Sequence, residues 1–267
     1  MAKKKYLVET SAVPVALGGS TPGHSVHFRD AVADGKLYTS IYIRMEFMRR
    51  WIRDCIKMAF QIDHFQDLPS AMHYLNQEFG IRGVKTQNYL LAEFLREKGN
   101  VNSGRDLAKE FARLAIGQLK KFDREFLRIA SNSSKCQIGG KELKVDFNHL
   151  FDDLREFLQA VGVVTDCQVN TFLGLNRSGK ASRILQAEGI QKTKAGEKLA
   201  GLKAQNKWIT CKECSTIGDA VIALEQPRSC CLVHIDKDFQ ILCKATQREH
   251  KQIQSLRAIE RGAPEVD

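Results

Sequence analysis

Cys230-Cys231-Leu232-Val233-His234-Ile235, running into Asp236, is the stretch that decides the fold class. Its apolar positions fall on both parities, and it lies between a turn at Pro227 and an acid at Asp236. Such a run reads as a strand buried on both faces. A helical pattern from Thr216 to Glu225 precedes it, and another helix from about Asp238 follows. Strands set between helices point to a parallel sheet, because parallel neighbours need a crossover connection. Tyr6-Leu7-Val8 is a second apolar run of the same kind, and it ends at Glu9. Pro14, Gly18, Gly19, Pro22 and Gly23 then mark loops. The expected class is α/β.

The chain between these strands reads as helical. Ile41, Met45, Met48, Ile52, Cys55 and Ala59 recur at helical spacing, which predicts a helix from Tyr38 to about Phe60. Amphipathic spacing continues over 69–79, 85–98 and 104–130, with turns at Gly80, Gly99-Asn100 and Gly104. A polar break at Ser131-Asn132-Ser133-Ser134 precedes further helices at 147–160, 178–188 and 193–205. The expected organisation is a sheet-bearing core whose first part is 1–64. A mostly helical insertion over 65–205 follows, then the second part of the core at 206–250 and a tail at 251–267.

Composition narrows the function classes. Of 267 residues, 43% are hydrophobic and 27% charged, which excludes a mostly disordered or collagen-like chain. Lys and Arg number 41 against 31 Asp and Glu, and the net charge of +10 favours polyanionic partners. No apolar run is long enough to span a bilayer, and Met1-Ala2-Lys3-Lys4-Lys5 lacks the apolar stretch of a secretory signal. The expectation is a cytoplasmic protein with no membrane partner. On that expectation the eight cysteines are reduced thiols rather than a disulfide framework.

The strands place acids where a parallel sheet gathers function. Glu9 and Asp236 each follow an apolar strand, so both fall on the rim formed by the carboxyl ends. Glu46 and Asp219 sit on predicted helices and could join them, with Asp238 as a fifth acid. Clustered carboxylates repel one another unless a cation lies between them, and an all-oxygen site suits Mg²⁺ or Mn²⁺. Such ions activate water for phosphodiester hydrolysis. Each acid also has a plain structural reading. Glu46 could pair with Arg49, Arg50 or Arg53 on the helix surface. Thr216 and Asp219 fit a capping box, and Asp236 fits a turn or an N-cap.

Four stretches carry a resemblance: Val8-Glu9-Thr10-Ser11; Ser40-Ile41-Tyr42-Ile43-Arg44-Met45-Glu46; Gly218-Asp219-Ala220-Val221-Ile222-Ala223; and His234-Ile235-Asp236-Lys237-Asp238-Phe239. In order and type they resemble the four acidic motifs of PIN-domain nucleases. The resemblance implies a three-layer α/β/α fold around a parallel sheet and Mg²⁺- or Mn²⁺-dependent cleavage, usually of RNA. It makes Glu9, Glu46, Asp219 and Asp236 metal ligands or groups that orient water, with Ser11 and Asp238 in support. Many relatives are toxins with an antitoxin protein as partner; processing and defence roles also occur to this reading. The chain departs from the pattern at Glu9, where the family usually has Asp, and at His234, where it usually has Thr or Ser. The gap between Glu46 and Asp219 is also far longer than in compact members.

Other features have two readings each. Cys136, Cys167, Cys211 and Cys214 could hold a structural Zn²⁺, or be thiols with no metal. Gly174 to Lys180 has the G-x-x-x-x-G-K spacing of a phosphate-binding loop, but Ala181 lacks the hydroxyl that binds Mg²⁺, so a turn before a basic helix is the simpler account. Basic residues over 177–207, Lys180 and Arg183 among them, are one phosphate-contact surface; Arg49, Arg50 and Arg53 are a second. His24 and His27 make a weak metal or acid–base signal. The expected partner is RNA or another single-stranded nucleic acid, and a homo-oligomer is left open. The alternatives to an RNA nuclease are a DNA nuclease with the same acids and a nucleic-acid-binding module without catalysis.

Overall fold

The structure is a computed structural model and describes residues 3–17, 22–83, 104–129, 142–146, 148–162, 169–174, 179–205, 211–214 and 216–253. Five strands form one all-parallel sheet: β1 (Lys4–Val8), β2 (Gly35–Thr39), β3 (Leu127–Arg128), β4 (Cys231–His234) and β5 (His250–Gln252). Their order is β3-β2-β1-β4-β5, so the fold is α/β as expected.

The two apolar runs are the sheet's centre. Tyr6, Leu7 and Val8 of β1 pair with Cys231, Leu232 and Val233 of β4, and all six are buried. Burial of these residues on both faces of the sheet accounts for their unbroken hydrophobic sequence. The strands β2, β3 and β5 are more polar and more exposed, and no apolar run announces them. β2 begins at Gly35 because a Cβ there would overlap the Tyr6 ring and the Lys4 carbonyl. Tyr6 in turn donates its hydroxyl proton to Asp34 Oδ1 at 2.6 Å.

Tyr38 therefore belongs to β2, not to the start of a helix. The helical period read from residue 41 onward is real, but extending it back to Tyr38 crosses the Ser40 cap. Helices α1 (Val13–Ala16) and α2 (Pro22–Val32) come between β1 and β2, and Ser40 Oγ accepts from the Ile43 N–H at 3.0 Å and opens helix α3 (Ile41–Phe47). A π-helical turn, Met48–Ile52, follows, and then helix α4 (Arg53–Phe65). The predicted helix over 104–130 ends earlier, at Glu125, and Leu127–Arg128 form the edge strand β3. Gly80 makes no turn, since one helix runs from Leu68 to Gly83. The helix expected over 85–98 lies outside the described residues.

Two compact units divide the chain. One comprises residues 1–46, 123–140 and 164–267 and holds the sheet; the other comprises 47–122 and 141–163. The sequence boundaries at 64 and 205 do not coincide with this division. Residues 164–205, read above as part of the insertion, cluster with the sheet. In that unit Arg44, only 2% exposed, forks onto Asp123 with bonds of 2.7 and 2.8 Å. The second unit packs Phe47 against Phe122 and Phe60 against Phe151. Among the described residues no helix is long and apolar enough to cross a membrane.

Candidate active site

In this sheet β1 leads to β2 and β3 on one side, while β4 and β5 lie on the other. The order reverses between β1 and β4, and in open parallel sheets the crevice beyond the carboxyl ends at that point is where ligands bind. Glu9 is the first residue beyond β1 and Ile235 the first beyond β4.

Glu9 closes this point. Its N–H donates to the Val233 carbonyl at 3.0 Å, continuing the ladder for one more bond. Its carboxylate accepts from the Ser11 N–H at 2.7 Å, from the Ser11 hydroxyl and from the Ile235 N–H at 3.2 Å. Ser11 thus holds the Glu9 carboxylate through both its N–H and its hydroxyl. Although it accepts these bonds, Glu9 is 3% exposed, and burial drives its pKa up to about 7. The nearby Glu46 carboxylate pushes it in the same direction.

Glu46 is buried as well. Thr10 donates its hydroxyl proton to Glu46 Oε2 at 2.6 Å. Gly218, the first residue of the helix α12 (Gly218–Glu225), lies directly on the other oxygen: a Cβ at 218 would overlap Glu46 Oε1. (Helices α5 to α11 are Leu68–Gly83, Gly104–Glu125, Leu150–Gly162, Val169–Leu173, Lys180–Leu185, Lys194–Ala204 and Cys211–Cys214.) Adjacent residues of one loop, Thr10 and Ser11, therefore hold the two carboxylates.

All four acidic stretches meet here through Glu9, Thr10, Glu46, Gly218 and Ile235. The side chains of the second pair of acids have separate settings. Asp219 is half-buried in the first turn of α12. The capping box expected for it is not formed, since the cap position is Ile217 and makes no side-chain bond to the helix. Asp236 is exposed and accepts from the Asp238 N–H at 3.0 Å, so its turn-forming role is present. Asp238 opens helix α13 (Asp238–Thr246) and accepts from the Lys194 N–H at 3.2 Å, at the start of α10.

A hard divalent cation suits part of this arrangement. Two buried carboxylates that repel each other, beside two hydroxyls, make an oxygen-only set, and Mg²⁺ commonly binds through one or two carboxylates while keeping waters. Among the described residues no group of three or more His, Cys, Asp or Glu is arranged to hold a metal.

The remaining sequence candidates lie elsewhere. Cys136 and Cys167 are outside the described residues, as is the side chain of Cys211; Cys214 is buried, with Sγ 3.2 Å from the Tyr42 hydroxyl. Cys55, Cys230, Cys231 and Cys243 are buried. Arg49 and Arg50 sit in the π-helical turn and Arg53 in α4, all in the second unit. Lys180 and Arg183 belong to α9 in the sheet-bearing unit. Residues 175–178 of the G-x-x-x-x-G-K stretch and the His24 side chain are outside the described residues. Thr10 and Gly218 also belong to the site, and a hydroxyl residue next to a strand-end acid and a Gly before Asp219 are their sequence signals.

Comparison with protein-family models, curated proteins and solved structures finds no match.

Proposed function

We propose that this chain is a Mg²⁺- or Mn²⁺-dependent nuclease of the PIN type that hydrolyses RNA, with its centre at Glu9 and Glu46. The observation that supports this most is the pairing of two buried, mutually repelling carboxylates at the switch point between β1 and β4. A bound divalent ion would supply an activated water and charge stabilisation at the phosphate. The chain's own groups prepare the site. Ser11 and the Ile235 N–H orient Glu9, Thr10 orients Glu46, and Gly218 permits the close approach of α12 that brings Asp219 to the same rim. The net charge of +10 holds the polyanionic strand. A toxin role and an antitoxin partner belong to this reading through the family resemblance, and a location in the cytoplasm accords with it.

The test is cleavage of end-labelled single-stranded RNA and DNA by the full chain with Mg²⁺ or Mn²⁺. Glu46→Gln and Asp219→Asn are expected to lose on the order of 100-fold or more in rate while retaining RNA binding. Cleavage of RNA at the native rate by Glu46→Gln removes the site. Cleavage of DNA alone, lost in the same variants, moves the substrate and keeps the acids.

A second reading, a nucleic-acid-binding module without catalysis, has its own observation. Three donors of this chain, the Ser11 N–H, the Ser11 hydroxyl and the Ile235 N–H, already engage the Glu9 carboxylate. RNA binding with no cleavage under either metal, by the native chain and by Glu9→Asp, selects that reading.

A further inference from the structure

The opposite rim of the sheet, at the amino ends of the strands, gathers positive charge. Arg228 lies in the turn that feeds β4, and Arg248 in the turn that feeds β5. Gln226, itself 1% exposed, stitches the two turns together: its Nε2 donates to the Cys230 carbonyl at 2.8 Å and to the Glu249 carbonyl at 2.6 Å. The Leu232 N–H adds a bond to the same Glu249 carbonyl at 2.9 Å. The two arginines are thereby held close enough to repel one another. Lys180, at the start of α9, repels both Arg183 and Arg248 and is attracted by the buried Glu225. Lys180 Nζ also rests 3.9 Å from the centre of the Phe172 ring.

This is an expensive arrangement. Of these cations Lys180 has the buried Glu225 near it, and burial and like charge lower the proton affinity of both Lys180 and Arg248. The Arg248 Nε and Nη1 donors are shut off from solvent and make no hydrogen bond. Buried unsatisfied donors on a charged group are rare because each forfeits its hydration, and they call for an explanation such as an ion. A guanidinium that turns outward to meet an oxyanion regains those bonds, and the anion offsets the repulsion between the surrounding cations.

We propose that Arg248, with Lys180, Arg183 and Arg228 around it, binds a phosphate group at the amino-terminal rim of the sheet. The group is either free phosphate or a backbone phosphate of a nucleic acid; the chemistry of recognition is the same. This site shares no residue with the acidic rim and does not rest on the nuclease reading.

Calorimetric titration of the full chain with inorganic phosphate tests it, with Arg248→Met and Arg228→Met as site variants and Arg124→Met as a remote exposed control. Methionine keeps the apolar stem and removes the charge. Saturable binding by the native chain and the control is expected, with on the order of tenfold or greater weakening in both site variants. Thermal melts establish that the variants are folded. Repeating the titration with a short single-stranded RNA present identifies the source: competition assigns a backbone phosphate, and independent binding assigns a free phosphate. Absence of saturable phosphate binding by the native chain, or equal binding by folded Arg248→Met, overturns the proposal.

Discussion

Glu9 places a carboxyl group in a setting that resists its ionisation. Its three acceptor bonds favour the charged form, yet burial outweighs them and lifts the pKa from 4.5 to about 7, with Glu46 adding to the shift. A carboxyl with a raised pKa in the folded state binds a proton more tightly there than when unfolded. Its contribution to stability is therefore fully present below pH 4.5 and is lost as the pH rises through about 7. The loss in the native chain is on the order of 3 kcal/mol across that interval. Glu9→Gln, which keeps the shape and cannot ionise, is expected to flatten this part of the profile. Urea denaturation of both proteins at pH 5 and pH 8 measures it; parallel profiles would show that Glu9 ionises freely in the fold. The residue also shows what one methylene does to the reading of a sequence. Glu at a strand end is legible as an unusual acid, but its donors, Ser11 from the same loop and Ile235 from a distant strand, are not equally so. The Ser11 contact is local, whereas the Ile235 contact exists only because β1 and β4 pair.

At the scale of elements, the meeting of α3 and α12 depends on a missing side chain. Gly218 lies on the Glu46 carboxylate, with the Tyr42 ring at 3.4 Å from where a Cβ would stand. Gly218→Ala improves helix propensity in isolation, by about 1 kcal/mol or less, but here it forces the buried carboxylate aside. The expected result is a net destabilisation of roughly 1–3 kcal/mol, the range for overpacking, read as a lower midpoint in urea. A midpoint equal to or above the native one would mean that α12 can retreat from Glu46 without cost. The same elements explain where sequence reading falls short. Helix α3 is buried without a break from Tyr42 to Phe47, its start is set by the Ser40 cap, and the preceding apolar residue, Tyr38, is already in β2. Strands β2, β3 and β5 carry few apolar residues and are less buried than β1 and β4. Their pairing comes from backbone hydrogen bonds, which every sequence can make.

The whole molecule carries a charge of +10 on a chain that also buries several acids. Burying acids leaves a surface more basic than the composition alone conveys, and two basic groups lie in different units: Arg49, Arg50 and Arg53 in one, Lys180, Arg183, Arg228 and Arg248 in the other. Binding of single-stranded RNA is expected to weaken steeply with salt, with a slope of about −0.7 per phosphate neutralised in a plot of log K against log salt. Removing Arg228 and Arg248 together is expected to make that slope shallower by about 1.4 if both reach the strand. An unchanged slope would confine RNA to other surfaces.

Composition and local pattern suffice for part of this protein. The apolar runs within β1 and β4, the amphipathic helices and the basic balance follow from residue types and spacing, because burial on both faces and a helical period leave a signature in the nearest few residues. The strand order, the switch point and the partners of Glu9 and Glu46 are decided by tertiary structure alone. Each rests on contacts between segments far apart in the chain: Ile235 on Glu9, Gly218 on Glu46, and the Gln226 staple that sets Arg228 beside Arg248. Hydrogen bonding and charge act through space over a few ångströms, so which acids and bases become neighbours is settled only when the sheet assembles.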